Sequence, residues 1–62
     1  MTTNEEFNQL RNQHGIGITE SAAMMDANIN TVKCWCQDES TSGFHRMPTY
    51  ALKLFKLMLE KR

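Results

Sequence analysis

The 62-residue sequence has little of what usually cross-links a small protein or anchors it in a membrane. It contains two cysteines, one proline and three glycines, and its seven basic and seven acidic residues give no net charge. Cys34 and Cys36 are separated by a single residue, which is too close for an unstrained disulfide in a helix or strand. No apolar run approaches the roughly 20 residues that span a bilayer, and the polar, acidic N-terminus does not resemble a signal peptide. We therefore expect a soluble, cytoplasmic protein in a reducing compartment.

The motifs of enzymes and metal proteins are also missing. The sequence has no glycine-rich phosphate loop, no nucleophile elbow and only scattered carboxylates. On a helix the two cysteines would point about 200° apart, and together with His14 and His45 they do not form the C-x₂-C and H-x₃-H spacings of zinc sites. We expect no enzymatic activity, no cofactor, no small-molecule ligand and no metal.

Helical periodicity is the main pattern that the sequence does contain. It predicts a single all-α domain over residues 1–62, with four helices near residues 4–14, 19–25, 29–37 and 48–61. Thr3 and Glu6 have the spacing of a capping box, and Gly15 and Gly17 can adopt the left-handed conformations that end the first helix. A short hairpin within residues 38–47 is the alternative for that segment.

The second and third predicted helices have the spacing of a helix-turn-helix. If Val32 and Trp35 point inward, Ala22 is the small residue at the helix crossing and Met25 is the apolar residue three positions later. Asp26 then occupies the turn position where glycine is usual. Aspartate is one of the few other residues that adopt the left-handed region, at a cost of about 1 kcal/mol.

The third predicted helix has two chemically different sides. One side is apolar and consists of Ile29, Val32, Trp35 and Cys36. The other carries amides, a hydroxyl and one ammonium, groups that can hydrogen-bond base edges and phosphates. We predict that this side reads DNA bases through Asn30, Thr31, Lys33, Cys34 and Gln37. The predicted contacts to the DNA backbone are Thr19, Asn28, His45 and Arg46, of which Thr19 and Asn28 also cap their helices.

Charge is unevenly distributed along the chain. Residues 1–29 hold Arg11 against four carboxylates, whereas residues 44–62 hold five basic residues and Glu60. This asymmetry favours a negatively charged partner that is approached from one side. Solvated faces of mixed charge would explain it equally well.

The last predicted helix is apolar over too wide an arc for one core contact. Its apolar residues cover about 220° of the helical wheel, against about 100° for a helix that packs on a single core. We assign Ala51, Leu54, Leu57 and Met58 to the core of the domain, with Pro48 in the first turn. Leu52, Phe55 and Leu59 are then left for a two-fold homodimer, which would stabilise so short a chain and double its phosphate contacts. The alternative is a helix wedged between two parts of one core.

The chain resembles the small helix-turn-helix regulators of phages and mobile elements, in particular the short anti-CRISPR-associated repressors. The resemblance covers Ile18 to about Leu59 and rests on residues 21–26, 30–35 and, most specifically, 43–52. It implies that the helix at Ile29–Gln37 enters the major groove and that the C-terminal helix contributes to a dimer. It also implies a repressor that binds an inverted repeat in the promoter of its own operon.

A protein-interaction module is the competing hypothesis. The same architecture would then dock a host protein on the apolar side of the last helix, without specific DNA binding. Acidic residues on the third helix would have favoured this function. Lys33 and the amides favour DNA instead.

Overall fold

The computed structural model describes residues 2–61, which contain four α-helices and no β-strand. Helix α1 spans Thr3–His14, α2 spans Ile18–Met25, α3 spans Ile29–Cys36 and α4 spans Thr49–Glu60. The all-α class is confirmed, and every predicted helix boundary lies within one residue of the observed one. None of the helices in this part of the chain combines the length and apolarity needed to cross a membrane.

Helix α1 begins one residue earlier than predicted because its capping box is shifted. Thr2 is the N-cap: its hydroxyl accepts a hydrogen bond from the Glu5 N–H at 3.1 Å, and the Glu5 carboxylate accepts one from the Thr2 N–H. The predicted pair of Thr3 and Glu6 is wrong, because both side chains make tertiary contacts instead. The Thr3 hydroxyl donates to a backbone carbonyl just before α4, and Glu6 forms an ion pair with Lys56.

The connection between α1 and α2 contains one left-handed residue. Gly15 has φ 64° and ends α1 as predicted, with its N–H directed at the carbonyls of the last turn. Gly17 has φ −79°, so the prediction that it is left-handed is wrong. Gly17 is the N-cap of α2, and Thr19 already lies in the first turn of that helix. The predicted cap by Thr19 is therefore also wrong.

Phe7 lies at the centre of the core, between α3 and α4. Its ring meets those of Trp35 and Phe55 edge to face, at centroid distances of 6.1 and 4.8 Å. Such pairs contribute about 0.5–1.5 kcal/mol beyond the area that they bury. Helices α3 and α4 each pack against both α1 and α2. The buried apolar residues form one cluster: Phe7, Ile16, Ala22, Met25, Val32, Trp35, Met47, Ala51, Leu52 and Phe55.

Helix α4 turns a different side to the core than predicted. Leu52 and Phe55, assigned to a second subunit, are 4% and 0% exposed within the protomer itself, and Leu59 is partly buried against the same core. Leu54 and Leu57, assigned to the core, are 37% and 45% exposed. The assignment of Leu52 and Phe55 to a dimer interface is thus wrong, because a wide apolar arc does not reveal which part of it meets α1 and α2. For Leu52 and Phe55, the alternative of a helix embedded in one core is right.

Candidate nucleic-acid interface

The turn between α2 and α3 has the backbone geometry that the sequence predicts. Asp26 has φ 53° and ψ 41°, and among residues 2–61 it is the one non-glycine residue with positive φ. Its N–H is directed at the carbonyls of Ala22 and Ala23, which closes the end of α2. Ala22 and Met25 are buried where α2 packs on α3. The two helices and their turn are therefore held as one unit.

Asn28 caps α3 as predicted. Its side-chain oxygen accepts a hydrogen bond from the Asn30 N–H at 2.8 Å, which satisfies one of the free amides at the start of the helix. The oxygen is therefore occupied, and the side-chain NH₂ is the group that can meet a phosphate. Val32 and Trp35 are buried as predicted, whereas Ile29 is more exposed than expected, because the core covers only part of the side chain at the start of α3.

The outward side of α3 is polar and carries no carboxylate. Asn30, Thr31 and Lys33 are exposed, and Cys34 is half-buried. We call these four residues the reading face. It offers amide, hydroxyl, thiol and ammonium groups with a single positive charge.

Gln37 lies outside the reading face, contrary to its predicted position. Helix α3 ends at Cys36, and Gln37 has an extended backbone with φ −78° and ψ 160°. Its side chain lies against Gly43. A Cβ atom at position 43 would lie only 2.7 Å from the Gln37 Oε1. The chain turns into a loop at this point instead of continuing the helix. That loop, and not the helical spacing, sets the direction of the Gln37 side chain.

An acidic cleft lies beyond the C-terminal end of α3. It has a volume of about 310 Å³, and Glu5, Asp38 and Glu39 contribute to its lining together with Gln37. Hydrogen bonds from the Ser40 backbone and hydroxyl lower the pKa of Asp38 and keep this carboxyl ionised. Phosphates are repelled by such a surface. The cleft therefore bounds the region that an anionic partner can approach.

All four predicted DNA-backbone contacts are exposed, and two of them are joined directly to the reading face. Asn28 is joined through its bond to the Asn30 N–H. His45 is joined through its own N–H, which donates to the Cys34 carbonyl at 3.3 Å. Arg46 follows His45 in the segment 44–48, which has no regular secondary structure, so both residues lie beside the C-terminal half of α3.

Asn4, which the sequence analysis missed, holds the segment 44–48 against α3. The side chain is 5% exposed, and its NH₂ donates to the carbonyls of Trp35 and His45 at 3.0 and 2.9 Å. Its oxygen accepts from the Met47 N–H at 2.9 Å. This one side chain thus joins α1, α3 and the segment before α4. In the sequence, an asparagine in a first helical turn has no feature that indicates such contacts.

Two of the basic residues are already engaged inside the protomer. The Arg11 guanidinium lies 5.6 Å from the centroid of the Phe7 ring and donates to the Ile16 carbonyl and to the Asn8 side-chain oxygen. Lys56 is paired with Glu6. Lys33 and Arg46 are the lysine and arginine side chains that remain on the α3 side of the described residues, so one protomer offers few cations to an anionic partner.

The two cysteines are free and differ in environment. Burial raises the pKa of the Cys36 thiol, an effect that the charge and hydrogen bond of Arg11 oppose. Cys36 therefore stays protonated at neutral pH, and it packs against the core. Within residues 2–61, no group of three or more histidine, cysteine or carboxylate side chains is arranged to hold a metal ion.

Comparisons with protein-family models, with curated proteins and with solved structures gave no match for this chain.

Proposed function

We propose that α2 and α3 form a helix-turn-helix and that the protein is a sequence-specific, double-stranded DNA-binding transcriptional regulator. The observation that carries this proposal is the reading face: an exposed, polar helix surface without carboxylates. Negative charge there would repel the phosphates on either side of the major groove. Amide, hydroxyl and ammonium groups can instead donate to and accept from base edges.

Each residue of the reading face has a chemical role. Asn30 can bind adenine through two hydrogen bonds, and Lys33 can donate to the acceptors of guanine. Thr31 and Cys34 are small enough to let the helix backbone approach the bases, and the threonine methyl can pack on a thymine methyl. Thr19, Asn28, His45 and Arg46 contact the DNA backbone, which fixes the position of α3 in the groove.

The form that binds DNA is a two-fold homodimer on an inverted repeat. A single protomer presents few cations, and each neutralised phosphate adds to affinity through the release of counterions. Pairing two protomers doubles these contacts. The protomer measures 33 × 23 × 21 Å, a size comparable to the spacing of about 34 Å between successive major-groove half-sites. The resemblance to phage and mobile-element regulators supports a repressor of its own operon.

A protein-interaction module is the second candidate, and one observation favours it. Tyr50, Leu54 and Leu57 are exposed on α4, and an exposed apolar stripe is a common feature of docking surfaces. A symmetric dimer uses the same kind of surface. DNA binding by the reading face therefore decides between the two functions.

The test is binding to duplex DNA selected by the wild-type protein from a random-sequence pool and from the region upstream of its gene. Replacing Asn30 and Lys33 together by alanine is expected to lower affinity for the selected duplex by about 100-fold, since each good base contact contributes about 1–3 kcal/mol. The slope of affinity against salt should also fall if Lys33 releases a counterion.

The matched control replaces Gln13 and Lys61 by alanine. It removes one amide and one ammonium from exposed positions on α1 and just after α4, with the same change in net charge. This variant should bind as the wild type does. Failure to enrich any duplex, or equal binding by the Asn30 and Lys33 variant, would contradict the proposed function.

A further inference from the structure

Helix α4 carries an apolar stripe on the side that faces away from the core. Tyr50, Leu54 and Leu57 are 70%, 37% and 45% exposed. Their spacing of four and then three residues places them within about 60° of one another around the helix axis. We call these three residues the outer stripe. It is a different side of α4 from the one that Leu52 and Phe55 bury.

Two opposite charges lie along one edge of the outer stripe. Lys53 and Glu60 are seven residues apart, or about 10 Å along the helix, and both are exposed. Neither forms an ion pair with another residue of the described chain, 2–61. Lys56, which could have paired with Glu60 one turn later, is held by Glu6. The same edge therefore presents one unpaired positive and one unpaired negative charge at a fixed separation.

We propose that the outer stripe binds the outer stripe of a second copy of this chain, with the two α4 helices antiparallel. In an antiparallel two-fold pair, each edge of one helix lies beside the same edge of the other helix. Leu54 then packs on the partner subunit's Leu57, and Lys53 comes within reach of the partner subunit's Glu60. Symmetry repeats each contact, so the interface contains two ion pairs.

The charges select this direction over the parallel one. In a parallel pair, the edge with Lys53 would meet the opposite edge of the other helix, where the half-buried Met58 lies. No ion pair would form there. An acidic or basic peptide would satisfy only one of the two charges, whereas a second copy satisfies both. The inference rests on the proposed function for its choice of a two-fold partner, and its test needs no DNA.

The test is the dissociation constant of the dimer, measured by analytical ultracentrifugation. Lys53→Glu and Glu60→Lys each replace two attractive contacts by two repulsive ones. Each is therefore expected to raise the dissociation constant by about tenfold. Mixing the two variants should restore a dimer of near wild-type affinity, because each introduced side chain then faces one of opposite charge. Lys33→Glu and Glu39→Lys make the same changes in net charge away from α4 and should leave the dimer unaffected.

The outcomes separate this interface from the proposed function. A wild-type protein that is monomeric at micromolar concentration, or one that binds anionic vesicles through Leu57 but does not dimerise, overturns the inference. A dimer that tolerates both charge reversals overturns the antiparallel arrangement. A dimer that follows the expected pattern but selects no duplex supports this interface and contradicts DNA binding.

Discussion

Helices α3 and α4 are similar on the side that faces the core and differ in polarity on the side that faces solvent. Each places an aromatic ring against Phe7, Trp35 from α3 and Phe55 from α4. On the solvent side, α3 presents the polar reading face and α4 presents the apolar outer stripe. The contrast shows that the core defines where each helix lies, whereas the outward residues determine what it can bind. The two proposed contacts, with DNA and with a second copy, therefore use separate surfaces.

The largest expected effect comes from introducing a charge on the buried side of α4, compared with the same charge on its exposed side. Leu52→Glu buries a charge in the core and should lower the free energy of unfolding by more than about 4 kcal/mol, enough to unfold a domain of this size. Leu57→Glu introduces the same side chain on the outer stripe and should leave the fold intact while weakening the proposed dimer. Circular dichroism and chemical denaturation distinguish the two. A folded monomer produced by Leu52→Glu would contradict the observed orientation of α4.

A smaller loss of stability is expected from removing the polar contacts that hold the end of α3. Asn4→Ala leaves the Met47 N–H and the carbonyls of Trp35 and His45 without their partner, which should cost roughly 3 kcal/mol. Hydrogen exchange at the Met47 N–H should accelerate, while exchange within α4 beyond its first turn should change only with global stability. Asn12→Ala, an exposed asparagine on the same helix, is the control. Equal stability of the two variants would mean that the buried contacts of Asn4 contribute nothing.

The smallest expected effect is a pH dependence from Cys36. Because burial raises its pKa in the folded state, the unfolded chain loses this proton first. The stabilisation is therefore complete below the ordinary thiol pKa of 9.0 and is lost as the pH rises above that value and through the higher pKa of the folded state. Denaturation curves measured from pH 7 to about pH 10 should show that the free energy of unfolding declines with pH, and that this decline is shallower in Cys36→Ala. A decline of the same slope in both proteins would assign it to other groups.

The sequence predicted those parts of the fold that depend on residues close to one another along the chain. Asn28 caps α3 through a residue two positions away, and Asp26 adopts the left-handed conformation that its short side chain tolerates. The helix boundaries follow from similar short-range signals. These features require no knowledge of the rest of the chain, and they also position most of the reading face.

The features that sequence missed depend on contacts between distant segments. Asn4 binds groups 31 to 43 residues away, so nothing beside it in the sequence indicates its role. The orientation of α4 depends on which part of a wide apolar arc meets α1 and α2. The predicted position of Gln37 is wrong because α3 ends one residue before it, where a loop and not a helical turn directs the side chain.

The aromatic residues give the wild-type chain two separate optical reporters. Trp35 is the only tryptophan and Tyr50 the only tyrosine. The indole is buried edge-on against Phe7, so its emission reports formation of the core. The phenol lies on the outer stripe, so its emission would respond to the proposed contact with a second copy. Folding and the proposed association would therefore be followed in the same sample without an added label.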